Sequence, residues 1–104
     1  MYTVYTTKTF DREISKLPVD YQEQIQNIFV QLKNNPYVGD QLQYQHLREK
    51  RLREKRIYYL VYDKLNLVLV VAISGKKDQQ ATISHIIRYF DEYRQYAEEL
   101  FRNG

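Results

Sequence analysis

The chain contains no cysteine, only three glycines and two prolines, and no apolar run of membrane-spanning length. Without cysteine there can be no disulfide framework, thiolate nucleophile or cysteine-ligated zinc, and a cytoplasmic setting is the default expectation. So little glycine and proline leaves no flexible linker, and no low-complexity tract is present. The longest apolar stretch, Leu65 to Ile73, is broken by Asn66. It falls well short of the roughly 20 residues that a spanning helix needs. The N-terminus lacks the charged-then-apolar pattern of a secretory signal, so no membrane role is expected. His46 and His85 stand apart without metal-ligand spacing, so they read as surface residues, and neither a metal nor a cofactor is expected.

What is present is one domain's worth of chain. The 104 residues, 43% hydrophobic and 28% charged, suit a single globular domain spanning 1–104 with one core. The net charge of +3 is unevenly placed. Residues 48–77 hold nine Lys and Arg against three Asp and Glu, whereas 1–47 hold four against five and 78–104 three against five. A basic block therefore runs directly into two apolar, strand-like segments.

Thr3 to Thr7 is β-branched and aromatic, which predicts a short first strand. Phe10, Ile14 and Leu17 fall on one helical face, and Tyr21, Ile25, Ile28, Phe29 and Leu32 on another. Pro18 separates the two helices, with Asp20 and Glu23 resembling a capping box, and Asn34, Asn35 and Pro36 stop the second. Tyr37 to His46 reads as a connecting loop. Leu47 to Leu52, Arg56 to Tyr62 and Leu67 to Ser74 are three further strand candidates, the last two joined by a turn at Asp63 to Asn66. Gly75 breaks the last strand. From Gln79, apolar residues recur at spacings of three and four as far as Phe101, predicting one long C-terminal helix. The order β-α-α-β-β-β-α is an α+β fold. It implies a small, mainly antiparallel four-stranded sheet with an N-terminal helical hairpin and a C-terminal helix.

A hairpin about Arg53 and Glu54 would set Arg51 opposite Arg56, with Glu49 and Tyr58 on the same face. Opposed like charges destabilise a sheet, and an anion such as a phosphate would reconcile them through paired guanidinium hydrogen bonds. Arg53-Glu54 is unfavourable chemistry for a two-residue turn, so a longer loop with a different register stays open. The competing reading is a solvated, self-paired edge strand that discourages aggregation. Tyr58, Tyr59 and Tyr62 offer stacking surfaces for bases, or core rings with wet hydroxyls.

The segment LREKRLREKRIYYLVYD, followed by a Val-rich strand and SGKK, resembles the RelE/ParE superfamily of toxins. FDREISKLP and the NPY helix stop add to the likeness, which covers residues 3 to 90. The resemblance implies a small toxin restrained by a cognate antitoxin. RelE-like members cleave mRNA in the ribosomal A site without metal, and ParE-like members poison DNA gyrase. The RelE-like branch is the expectation, with the gyrase poison and a catalytically degenerate binding protein as alternatives. By the same resemblance Arg56 matches the arginine that stabilises the scissile phosphate, Lys77 the basic residue after the last strand, and Arg51 a basic residue on the second strand. Glu49 stands where some members have lysine, while another branch uses a glutamate of this region as base and a C-terminal histidine as acid. Ile83 occupies the place of a catalytic tyrosine of some members. Metal-free RNA cleavage needs a base, cations and an acid. The candidates are Glu49 as base, Arg51 and Arg56 as cations, and His85 or Lys77 as acid. Arg48, Lys50, Arg53, Lys55, Lys76 and Tyr58 are the candidate RNA-binding residues. The expected partners are an antitoxin, whose helix would fill a groove beside the C-terminal helix, and the ribosome with its mRNA. A homodimer and a toxin–antitoxin heterotetramer both remain open.

Overall fold

In the computed structural model, which describes residues 1–104, five strands form one sheet with helices on both faces. The strands are β1 (Thr3–Thr6), β2 (Asp40–Gln41), β3 (Leu47–Leu52), β4 (Lys55–Tyr62) and β5 (Leu67–Gly75). The helices are α1 (Lys8–Ile14), α2 (Val19–Asn34), α3 (Gln79–Arg88) and α4 (Phe90–Asn103). Spatial order is β1-β5-β4-β3-β2, with β1 parallel to β5 and every other pairing antiparallel. The α+β class is as expected, but the four-stranded, mainly antiparallel sheet is corrected to a mixed sheet of five strands, with one parallel pair. The extra strand, β2, is two residues long inside the expected loop, too short to leave a periodic signal.

Two-sided burial explains why β4 and β5 read as continuous apolar runs instead of alternating ones. On one face Phe10 of α1 and Ile25, Ile28 and Leu32 of α2 pack on Ile57 and Val68. On the other, Ile83 and Ile86 of α3 and Ala97 of α4 pack on Leu60 and Leu69. Pro18 is the residue preceding α2, as expected, but no side chain caps that helix. The Asp20 carboxylate instead pairs with Arg53 at 2.9 Å, so the expected capping box is not formed. The single long C-terminal helix is also corrected. The chain turns at Tyr89, and α4 begins at Phe90, which lets both helices bury apolar stripes on the same sheet. None of the helices is long and apolar enough to cross a membrane.

One irregularity sets the phase of β5. Tyr58 pairs with Ala72 and Tyr59 with Val70, leaving Val71 as an extra residue in a β-bulge. Val71 and Ala72 both pack towards the α3 and α4 side, so alternation resumes one residue out of step.

His46 is half-buried, not freely exposed. Its ring lies 4.8 Å from Phe90, 6.1 Å from Tyr62 and 6.3 Å from Tyr44, and burial pushes its imidazole below the usual range. A lowered folded-state pKa means that the unfolded chain takes up the proton more readily. The neutral ring's contribution is therefore whole above the ordinary value of 6.5 and fades as pH falls through the depressed one. Urea melts at pH 7.5 and pH 5 should show a smaller acid loss for His46→Phe than for the unsubstituted chain; equal losses would contradict this account.

Candidate active site

The basic hairpin folds in the register that alternation implies. Glu49 pairs with Tyr58 and Arg51 with Arg56, and on the far side of β4 Arg56 pairs with Ser74. Paired residues share a face, so these five side chains lie on the α3 side of the sheet, at the end that Leu47 and Leu60 do not occupy. The turn has only two residues, with Arg53 in the left-handed region at φ 55°. That conformation costs a non-glycine residue roughly 1 kcal/mol. Three contacts to the start of α2 offset it. Arg53 pairs with Asp20 and stacks 4.5 Å over the Tyr21 ring, while the Tyr21 hydroxyl donates to the Glu54 carboxylate.

Glu49 is held from two sides. Its Oε1 accepts from the Gln79 amide at 2.8 Å, and its Oε2 lies 3.8 Å from Arg56 Nε. Both side chains of the ion pair are only 12% exposed, so water screens the pair far less than an ordinary surface pair. Arg51 is exposed and donates from Nε to the Arg53 carbonyl at 3.0 Å. The repulsion foreseen for the opposed arginines is thus relieved by a carboxylate on one and a turn carbonyl on the other. Beneath them Tyr58 is fully buried, and its hydroxyl lies 2.9 Å from Ser74 Oγ. Burial pushes the phenol up; the Ser74 contact pulls it down, and the Glu49 charge adds a further push upward.

The other candidates divide by face. Lys76 and Lys77 are exposed in a single helical turn directly after β5, at the Arg56 end of the sheet. Lys50 pairs with Ile57 and Lys55 with Leu52, which places both on the opposite, α2 face. Arg48 is also on that face and is engaged locally. It donates to the carbonyls of Gly39 at 3.1 Å and Gln45 at 3.3 Å, and stacks 4.7 Å from the Tyr37 ring centre. Arg53 is engaged with α2. His85 is exposed on α3, on a side that faces neither Ile83 nor Ile86, and packs 4.7 Å from the Tyr89 ring. No group of three or more His, Cys, Asp or Glu has metal-binding geometry. Gln79 and Ser74 carry no signal in the sequence: Ser74 is a single polar residue ahead of a glycine and two lysines, while Gln79 meets Glu49 across a separation of 30 residues.

The site is an open face, since the surface cavities are lined by other residues. Such a surface suits a polyanionic chain laid across it, with a carboxylate, two guanidiniums and a hydroxyl within one patch.

No family model matches the chain, and no curated protein matches it in sequence. Solved structures do. A double mutant of the Escherichia coli RelE toxin in the free state superposes with TM-score 0.71 at 21% identity, covering 84% of this chain and 95% of that one. A chain of the intact E. coli RelBE toxin–antitoxin complex gives 0.65 at 20% identity, over 72% and 96%. One from the RelBE2 toxin–antitoxin complex of Mycobacterium tuberculosis gives 0.64 at 24% identity, over 72% and 98%. The chain has the RelE fold.

Proposed function

We propose that this protein is the toxin of a toxin–antitoxin pair and cleaves ribosome-bound mRNA without a metal. The observation that carries the reading is the shielded Glu49–Arg56 pair on an open basic face, on a chain with the RelE fold. In this mechanism Glu49 takes the proton of the 2′-hydroxyl, whose oxygen attacks the adjacent phosphorus. Arg56 leaves Glu49 to meet the phosphate and neutralises the charge gathering on its oxygens, and Arg51 swings from the turn carbonyl to do the same. Gln79 keeps the carboxylate aimed at the face while the ion pair opens. The leaving 5′-oxygen needs a proton, and Lys77, beside the Arg56 end of the sheet, is the better placed of the two candidates. His85 faces solvent and Tyr89.

Lys76 and Lys77 supply the charge that holds a phosphate backbone, which is a salt-dependent contribution. Arg48, Lys50, Arg53 and Lys55 take no part in this reading, because they lie on the other face or are engaged by α2 and Gly39. The RelBE neighbours are toxin–antitoxin complexes, which supports an antitoxin as the partner here. An acidic antitoxin segment over the Arg51–Arg56 face would silence it by charge complementarity.

The test is induced expression in a host without the antitoxin, with transcript ends mapped by primer extension and DNA damage read by a reporter. New cleavage sites within translated codons, with a silent damage reporter, are the expected result. Whole transcripts with an active damage reporter would instead mark a gyrase poison, and growth without arrest a degenerate binding protein.

A further inference from the structure

Two hydroxyls lie in hydrogen-bond contact beside the arginines of the proposed site. Ser74 Oγ lies 3.1 Å from the Gly75 carbonyl and 2.9 Å from the Tyr58 hydroxyl. A serine hydroxyl has one proton, and a carbonyl can only accept. The arrangement that satisfies both contacts at once has Tyr58 donating to Ser74 and Ser74 donating to Gly75. Tyr58 stays protonated in this position, since burial raises its phenol. Ser74 is directly opposite Arg56 and is partly exposed, whereas Tyr58 is closed off. Only the serine end of the relay can meet a ligand.

Resting on the nuclease reading above, we propose that Ser74 is a catalytic residue which donates its hydroxyl hydrogen to a non-bridging oxygen of the scissile phosphate, and that Tyr58 is the positioning residue that holds it there. The serine gives up one short-range contact to its neighbour's carbonyl and gains a charged acceptor, a stronger hydrogen bond. Tyr58 keeps the serine lone pair occupied, so the serine proton points outward when Gly75 is released. No bond to Ser74 or Tyr58 forms or breaks. The 2′-oxygen displaces the 5′-oxygen as before, and both hydroxyls retain their protons.

The experiment is single-turnover cleavage of mRNA on purified ribosomes by the full chain, with ribosome affinity measured separately. Ser74→Ala should slow cleavage about 100-fold, the scale of a lost oxyanion donor, with affinity unchanged and Ser74→Thr restoring most of the rate. Tyr58→Phe keeps the ring and should slow cleavage roughly 10-fold. The double variant should be no slower than Ser74→Ala, because Tyr58 acts only through the serine. Cleavage by Ser74→Ala within about threefold of the parent chain, a threonine that fails to restore it, or additive losses would each overturn the proposal. Arg56→Ala separates the two ideas. If it is inactive while the hydroxyl variants cleave normally, the relay alone is wrong. If the parent chain leaves ribosome-bound mRNA whole, both are.

Discussion

Arg56→Ala is expected to slow mRNA cleavage on the ribosome about 1,000-fold and to abolish growth arrest on induction. Three observations make this the most damaging single change to activity. Arg56 is central in the patch, with Glu49, Arg51 and Ser74 as its neighbours on the same face. It is 12% exposed, so its charge acts through a medium that screens poorly. Its guanidinium can also span two phosphate oxygens, which an ammonium cannot do. Arg56→Lys should therefore recover only part of the loss, roughly one order of magnitude. Both variants should remain folded, because the backbone of β4 is held by strands on either side. Single-turnover rates with circular dichroism melts settle the matter. Full toxicity of a folded Arg56→Ala would remove the phosphate-clamp role.

The largest expected loss of stability comes from a glycine on the opposite side of the hairpin. A Cβ on Gly39 would stand 2.5 Å from the Glu49 carbonyl oxygen and 2.5 Å from the Tyr59 hydroxyl. Neither neighbour can yield cheaply. The carbonyl belongs to the backbone of β3, and the buried hydroxyl donates to the Pro36 carbonyl at 2.7 Å while accepting from the Gly39 amide at 3.0 Å. Gly39→Ala must push apart the β2–β3 edge or break that buried network. A cost of about 3 kcal/mol is expected, from overpacking and lost hydrogen bonds together. In a domain of this size that lowers the melting temperature by roughly 10–20 °C. Because the displaced carbonyl belongs to Glu49, cleavage should fall too, even below the melt. A melting point within a few degrees of the parent's would show that the edge is softer than its packing suggests.

The hairpin was legible because alternation has a period of two and each side chain's face follows from it. Arg51 opposite Arg56, with Glu49 and Tyr58 beside them, needed only the turn at Arg53 and Glu54 to be right. That turn looked unfavourable by composition, and what rescues it is tertiary. Asp20 and Tyr21 lie more than 30 positions away, and the residue that seemed a helix cap is the arginine's partner. The parallel pairing of β1 with β5 was out of reach for a similar reason, since it joins residues 64 positions apart and no turn announces it. The break at Tyr89 lies inside an unbroken apolar periodicity, so only the shape of the sheet beneath reveals it. As for the site, the charged residues were visible as a cluster. Their division between two faces separated Arg51 and Arg56 from Arg48, Lys50 and Lys55. Gln79 and Ser74 are ordinary polar residues that gain meaning only from Glu49 and Tyr58.

The extra residue at Val71 acts on β5 as a frameshift acts on a message. Upstream of it the odd-numbered residues Leu67 and Leu69 face α3; downstream, Ala72 and Ser74 do. A regular strand of the same length would bring Ile73 opposite Arg56, placing a sec-butyl hydrocarbon where the Ser74 hydroxyl now stands. Loss of any one of Val71, Ala72 or Ile73 can be absorbed by straightening the bulge, which keeps Ser74 paired with Arg56 at the expense of some core.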